Sequence, residues 1–174
     1  MFWKSIVPLD LSNIVVRREF VTSTDGARIP LFIVAGKNTT LDGNNPVLQY
    51  GYGGFDIAIL PRFSSTRATW IEMGGVLAVA CIRGGSEYGR DWHEGGMLEN
   101  KQQCFDDFIA CSEWLIQSKW TNTSKLAIQG GSNGGLLVGA CMTQRPDLYG
   151  ACLPAVGVLD MLRFPLFTVG WAWT

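Results

Sequence analysis

The chain has 174 residues, a length that suits one domain of ordinary size with a substantial core. Hydrophobic residues make up 47% and charged residues 17%, which excludes a disordered chain, and a formal net charge of -1 leaves no electrostatic footprint for nucleic acid. No apolar run is long enough to span a bilayer, and the start, Met1-Phe2-Trp3-Lys4-Ser5-Ile6-Val7-Pro8, has neither the long apolar stretch nor the cleavage site of a secretory signal.

Residues 14–21 read as a strand, Asp25-Gly26 as a tight turn and residues 29–34 as the return strand, so an antiparallel hairpin is predicted at one edge of a sheet. Residues 36–46 are polar and rich in Gly and Asn, a surface connection. A short strand over 46–50 follows, then a helix over 62–73. Residues 75–82 form an apolar run without alternation, as expected of a strand covered on both faces. The clearest helix covers 101–120, with Phe105, Phe108, Ile109, Ser112, Leu115 and Ile116 on one face and Asp106, Asp107 and Glu113 largely elsewhere. Residues 125–129 are a buried strand, 136–145 a helix stopped by Pro146, and 149–157 a last apolar strand. Alternating strands and helices predict a mostly parallel sheet with helices on both faces.

The five cysteines, Cys81, Cys104, Cys111, Cys141 and Cys152, are odd in number, and no pair has metal-ligand spacing. They are read as buried free thiols in a reducing compartment, with a cytoplasmic location and no metal or other cofactor.

Chemistry concentrates at Gly130-Gly131-Ser132-Asn133-Gly134, a G-x-S-x-G turn between a buried strand and a helix. In such an elbow the serine hydroxyl is held exposed on a strained bend, and side chains two residues to either side would collide with the neighbouring backbone. The alternative is a plain Gly-rich connection with Ser132 as an N-cap. A nucleotide-binding turn is disfavoured, because G-x-G-x-x-G fails and no lysine follows the glycines. An oxyanion needs two donors. The Asn133 N–H is one candidate, and the glycine-rich loop over 50–55, with the Tyr52 phenol, offers the second.

Tyr50-Gly51-Tyr52-Gly53-Gly54-Phe55, Arg83-Gly84-Gly85-Ser86-Glu87-Tyr88-Gly89, Cys104-Phe105-Asp106-Asp107-Phe108 and Gly130-Gly131-Ser132-Asn133-Gly134-Gly135 resemble the prolyl oligopeptidase family of serine peptidases. So do Arg145-Pro146-Asp147-Leu148-Tyr149-Gly150 and Trp171-Ala172-Trp173-Thr174, and the likeness runs from about Val21 onward. The resemblance implies an α/β-hydrolase fold, truncated before its last strands, in which residues 1–174 are part of a catalytic domain and a β-propeller is absent. It implies cleavage of short peptides after proline through an acyl-enzyme, with Ser132 as nucleophile and Tyr52 with the Asn133 N–H as oxyanion hole. Phe55, Val158 and Trp173 then form the slot for the proline ring. The implied partners are a short proline-containing peptide and the remainder of a longer chain, with no nucleic acid or membrane.

The acid and the base of a Ser–Asp–His triad follow the serine in this fold. After Ser132 stand Asp147 and Asp160 but no histidine, and His93 precedes it. His93 is read as a loop or structural histidine, Asp147 as a surface residue, and neither aspartate as the family's acid. This polypeptide alone is therefore expected to have little activity. An esterase or exopeptidase on the same fold, or a non-catalytic truncated product, is the alternative. The strand near 151–156 would form an uncovered edge beside an apolar tail, a hazard for association.

Overall fold

The computed structural model describes residues 10–173, and the side chains of residues 10–171. The hairpin forms as read: β1 (Ile14–Thr22) runs antiparallel to β2 (Arg28–Gly36), with Val21 opposite Ile29. Its turn closes through the Ser23 N–H to the Ala27 carbonyl at 2.8 Å. Gly26 adopts a left-handed φ of 89°, which a side chain would resist, and the Asp25 carboxylate accepts the Ala27 N–H at 3.1 Å.

Four further strands are β3 (Val47–Tyr50), β4 (Val76–Ala80), β5 (Leu126–Gly131) and β6 (Ala151–Ala155). The sheet order is β1-β2-β4-β3-β5-β6. β2 pairs antiparallel with β4, while β4, β3, β5 and β6 are parallel neighbours. This is the α/β-hydrolase arrangement: a mostly parallel sheet edged by an antiparallel hairpin.

The unbroken apolar run of β4 has a direct cause. Val76, Ala78 and Ala80 face the main core with α3 (Lys101–Gln117) and α4 (Asn133–Gln144), whereas Leu77 and Val79 join Ile71 of α1 (Ser65–Glu72) on the other face. Both pleats are dry, so neither can be polar. A short helix, α2 (Arg90–Glu94), lies in the connection between β4 and α3.

Three helix boundaries differ from the sequence reading. α1 begins at Ser65 rather than 62, because Ser64 is extended and its hydroxyl accepts the Arg67 N–H, a capping bond at 3.5 Å. α3 stops at Gln117, three residues early, where Lys119 turns left-handed at φ 60° and the Trp120 N–H returns to Leu115 O at 3.0 Å. α4 starts at Asn133, three residues before the apolar periodicity becomes visible.

Asp107 also departs from expectation, being fully buried. Arg83 makes this possible. Its guanidinium donates to both Asp107 oxygens at 2.9 and 2.6 Å, and reaches Asp25 in the hairpin turn and Gln103 at 2.7 Å. A buried carboxylate is tolerable only with such a bidentate partner. The network ties the hairpin to α3 across the end of β4.

Candidate active site

The elbow follows from local crowding. β5 ends at Gly131 and α4 begins at Asn133, so Ser132 alone makes the reversal, at φ 57° and ψ -117°. A non-glycine residue held there costs about 1–3 kcal/mol and persists only when its surroundings impose it. They do: the Ser132 N–H donates to Ala155 O of β6 at 2.9 Å, and the Ser132 carbonyl accepts from Gly135 and Leu136 at 2.9 and 3.2 Å. Gly134 and Gly135, just after the serine, leave no room for side chains. A β-carbon on Gly134 would lie 2.7 Å from Gly51 O, and one on Gly135 would lie 2.6 Å from the Gly157 Cα.

Ser132 is exposed and its side chain makes no capping bond, so the plain N-cap reading fails. Its neighbour Asn133 is buried, at the first position of α4, where backbone N–H groups have no partner within the helix. The same helix end carries partial positive charge.

The loop over 50–55 packs directly on this turn. β3 and β5 are parallel neighbours with Tyr50 opposite Gln129, so both strands release their chains at one end of the sheet. The Asn133 side-chain amide donates to Tyr52 O at 2.6 Å, and the Tyr52 ring lies beside Gly134. Tyr52 itself is half-buried. Phe55 is 51% exposed and left-handed at φ 54°, one residue beyond Gly54, which packs on Asn133. Val158, half-buried, follows Gly157, which packs on Gly135 in the first turn of α4. The structure thus brings Tyr52, Phe55, Ser132, Asn133 and Val158 to one end of the sheet. The Trp173 side chain lies outside the described residues.

The remaining candidates have other duties. His93 Nδ1 lies 2.7 Å from Gly84 O and 3.2 Å from the Asp56 nitrogen, and so the histidine braces the loop after β4. Asp147 is exposed and paired with Arg145, and Asp160 holds Arg163 in the tail. All five cysteines are free. Burial pushes the Cys81 and Cys104 thiols up to about 12, which leaves them protonated. Among the described residues no group of His, Cys, Asp or Glu converges as a metal site, and no helix is long and apolar enough to cross a membrane.

Two side chains are given no role by the sequence, although Asn100-Lys101 belongs to the segments that resemble the family. One is the Asn133 side chain, overlooked behind its backbone N–H. The other is Lys101, whose Nζ donates to Gly53 O at 2.8 Å and to Asn133 Oδ1 at 3.3 Å. A lysine at the first position of a helix opposes the helix dipole, and that misplacement was a usable signal.

Comparison with known proteins places the whole chain beside one family. The family profile described as the prolyl oligopeptidase family matches residues 61–174. A prolyl endopeptidase of Elizabethkingia miricola is 47% identical over 99% of this chain, which covers 24% of that protein. A prolyl oligopeptidase of Omphalotus olearius is 48% identical over 97% of the chain and 23% of its own length. The solved structure of a post-proline cleaving enzyme from Rickettsia typhi superposes with a TM-score of 0.95 at 43% identity, covering 98% of this chain and 25% of that one. The chain therefore spans about a quarter of the length of the curated relatives it matches.

Proposed function

Because this chain belongs to the prolyl oligopeptidase family, we propose that it is the nucleophile-bearing part of a serine peptidase that cleaves short peptides after proline. Residues 1–174 are then one part of an α/β-hydrolase catalytic domain, with the propeller contributed by other sequence. The observation that carries the reading is Ser132: exposed, uncapped, and forced into a strained bend beside the Tyr52 loop.

In this reading the Ser132 Oγ attacks the carbonyl carbon of the proline residue. Its proton passes to a base, the C–O bond of an acyl-enzyme forms, and the C–N bond breaks as the amine leaves protonated. Water then reverses the sequence to release the acid. The negative oxygen that develops accepts from the Asn133 N–H and the Tyr52 hydroxyl, near the positive end of α4. Phe55, Val158 and Trp173 offer apolar walls for a rigid ring that lacks an N–H.

His93 does not suit the role of base, since it precedes Ser132 in the chain whereas the base of this fold follows the serine, and its ring packs against the loop after β4. The 174-residue polypeptide by itself accordingly has little peptidase activity, and the acid and base come from the remainder of a longer chain. A cytoplasmic location is supported by five unpaired thiols.

The test uses the protein as its gene encodes it. A fluorogenic peptide with proline before the reporter is cleaved, its alanine counterpart much less, and Ser132→Ala abolishes both cleavage and labelling by a serine-reactive phosphonate. Cleavage that survives Ser132→Ala refutes the reading. Hydrolysis of simple esters without any preference for proline would instead make the chain part of an esterase.

A further inference from the structure

We propose that Lys101 is a positioning residue that holds the Tyr52 loop in register with the elbow, an inference that rests on the oxyanion roles proposed above for Tyr52 and Asn133. Two consecutive carbonyls of the loop are tied down, one to the base of α4 and the other to the first turn of α3. Tyr52 O accepts the Asn133 side-chain amide at 2.6 Å. Gly53 O accepts the Lys101 ammonium at 2.8 Å and the Cys104 thiol at 3.3 Å. Lys101 also holds Asn133 Oδ1 at 3.3 Å, which orients the amide so that its N–H₂ faces Tyr52 O. Lysine, Asn133 and the loop therefore form a closed set of bonds.

The surroundings leave this set little slack. A β-carbon on Gly54 would lie 2.5 Å from Asn133 Nδ2, and one on Gly84 would lie 2.5 Å from Gly53 O. Gly53 is left-handed at φ 64°, so the peptide between Tyr52 and Gly54 presents its carbonyl inward, where Lys101 and Cys104 lie. Charge-assisted bonds from a half-buried ammonium are roughly twice as strong as neutral ones. They fix the backbone that carries the Tyr52 phenol relative to the residue that supplies the other oxyanion donor. A misplacement of about 1 Å in such a constellation can cost roughly 100-fold in rate. Lys101 does this from an electrostatically unfavourable place, the first position of α3, which a purely helical role does not explain.

The experiment is a double-mutant cycle in the protein as its gene encodes it, with Lys101→Met and Tyr52→Phe. Lys101→Met is expected to lower kcat roughly 10- to 100-fold, with KM within about twofold. In the Tyr52→Phe background the same change is expected to cost less than about threefold, because Lys101 acts through the phenol. Fully additive losses, or a loss carried in KM alone, overturn the proposal. Hydrogen–deuterium exchange gives a second readout that needs no activity. Amides of residues 52–55 exchange faster in Lys101→Met while the hairpin over 14–36 is unchanged, and equal exchange in both forms overturns it. If Lys101→Met does not fold, Lys101→Gln is measured in the same two ways. Activity that survives Ser132→Ala would refute the peptidase reading itself, whereas additivity with Ser132 essential refutes only the clamp.

Discussion

A β-carbon on Gly130 would overlap the carbonyl oxygen of Gly134, four residues on and across the elbow. The obstacle is backbone on both sides, so no side-chain rotation can relieve it. Gly130→Ala is expected to cost about 1–3 kcal/mol and to displace Ser132 from its bend. Gly131 is the control: the nearest atom to its β-carbon is Ala155 O at 3.9 Å, an ordinary contact. Thermal unfolding with peptide cleavage separates the two, since only Gly130→Ala should lose both. Equal tolerance at the two positions would mean that the elbow is loose.

Asp107 and Arg83 form the second exposed consequence of the fold. The Asp107 side chain is fully buried and Arg83 is 9% exposed. Removing one partner strands a charge in the interior, so Asp107→Ala is expected to destabilise by about 3–5 kcal/mol. Asp25, the other carboxylate on Arg83, is 40% exposed. The guanidinium lowers the Asp25 pKa from its ordinary value, yet water screens the pair, and Asp25→Asn should cost under about 1 kcal/mol. Urea midpoints for the two variants provide the comparison, and equal losses would contradict the burial argument.

Much of this was legible in the sequence because its strong signals are local. Asp25-Gly26 between alternating strands marks the hairpin, and Gly130 to Gly134 marks an elbow, since Gly130 and Gly134 each answer to a backbone collision, with Gly134 and Gly51 respectively. The element ends were less legible: Ser64 and Lys119 terminate helices through single-residue conformations that an apolar period does not report. Asp107 was misread for a different reason. Its burial is permitted by Arg83, 24 positions earlier, and helical periodicity cannot see a partner on another element. Lys101 and the Asn133 amide belong to the same class. Their partners are backbone carbonyls of the loop over 50–55, and carbonyls leave no trace in side-chain patterns.

Glu87 should make stability fall as pH rises from the acid side. Its Oε1 accepts the Ile59 N–H at 2.9 Å, but Oε2 is buried without a partner. Burial raises its pKa above the ordinary carboxylate value, against the smaller opposing pull of that N–H. A carboxyl with a raised folded pKa stabilises the protein fully below its unfolded pKa, and that contribution is lost as pH climbs through the folded one. Asp25 is depressed and acts in the opposite sense. The informative quantity is therefore the difference between wild type and Glu87→Gln, which keeps an acceptor for Ile59 but cannot ionise. Urea unfolding from about pH 4 to 7 should show the variant gaining on wild type as pH rises. Parallel curves would mean that Glu87 is solvated.

The β6 side of the sheet carries the last expectation. β6 is an edge among the described strands, and the segment after it leaves Val156 85% and Leu162 95% exposed, with Leu166 and Trp171 also exposed. An unpaired edge beside large apolar side chains favours pairing with another chain. Pro154 blunts the edge by removing one N–H, but Leu153 beside it is exposed. Prepared as the 174-residue polypeptide, the protein is expected to associate with rising concentration in sedimentation velocity. Lysines at the exposed positions, as in Leu153→Lys with Leu162→Lys, should shift it toward monomer without touching the core, because inward and edge charges are costly only when a partner strand arrives. A wild-type polypeptide that stays monomeric at every concentration would show that this edge is already protected by its own twist and proline.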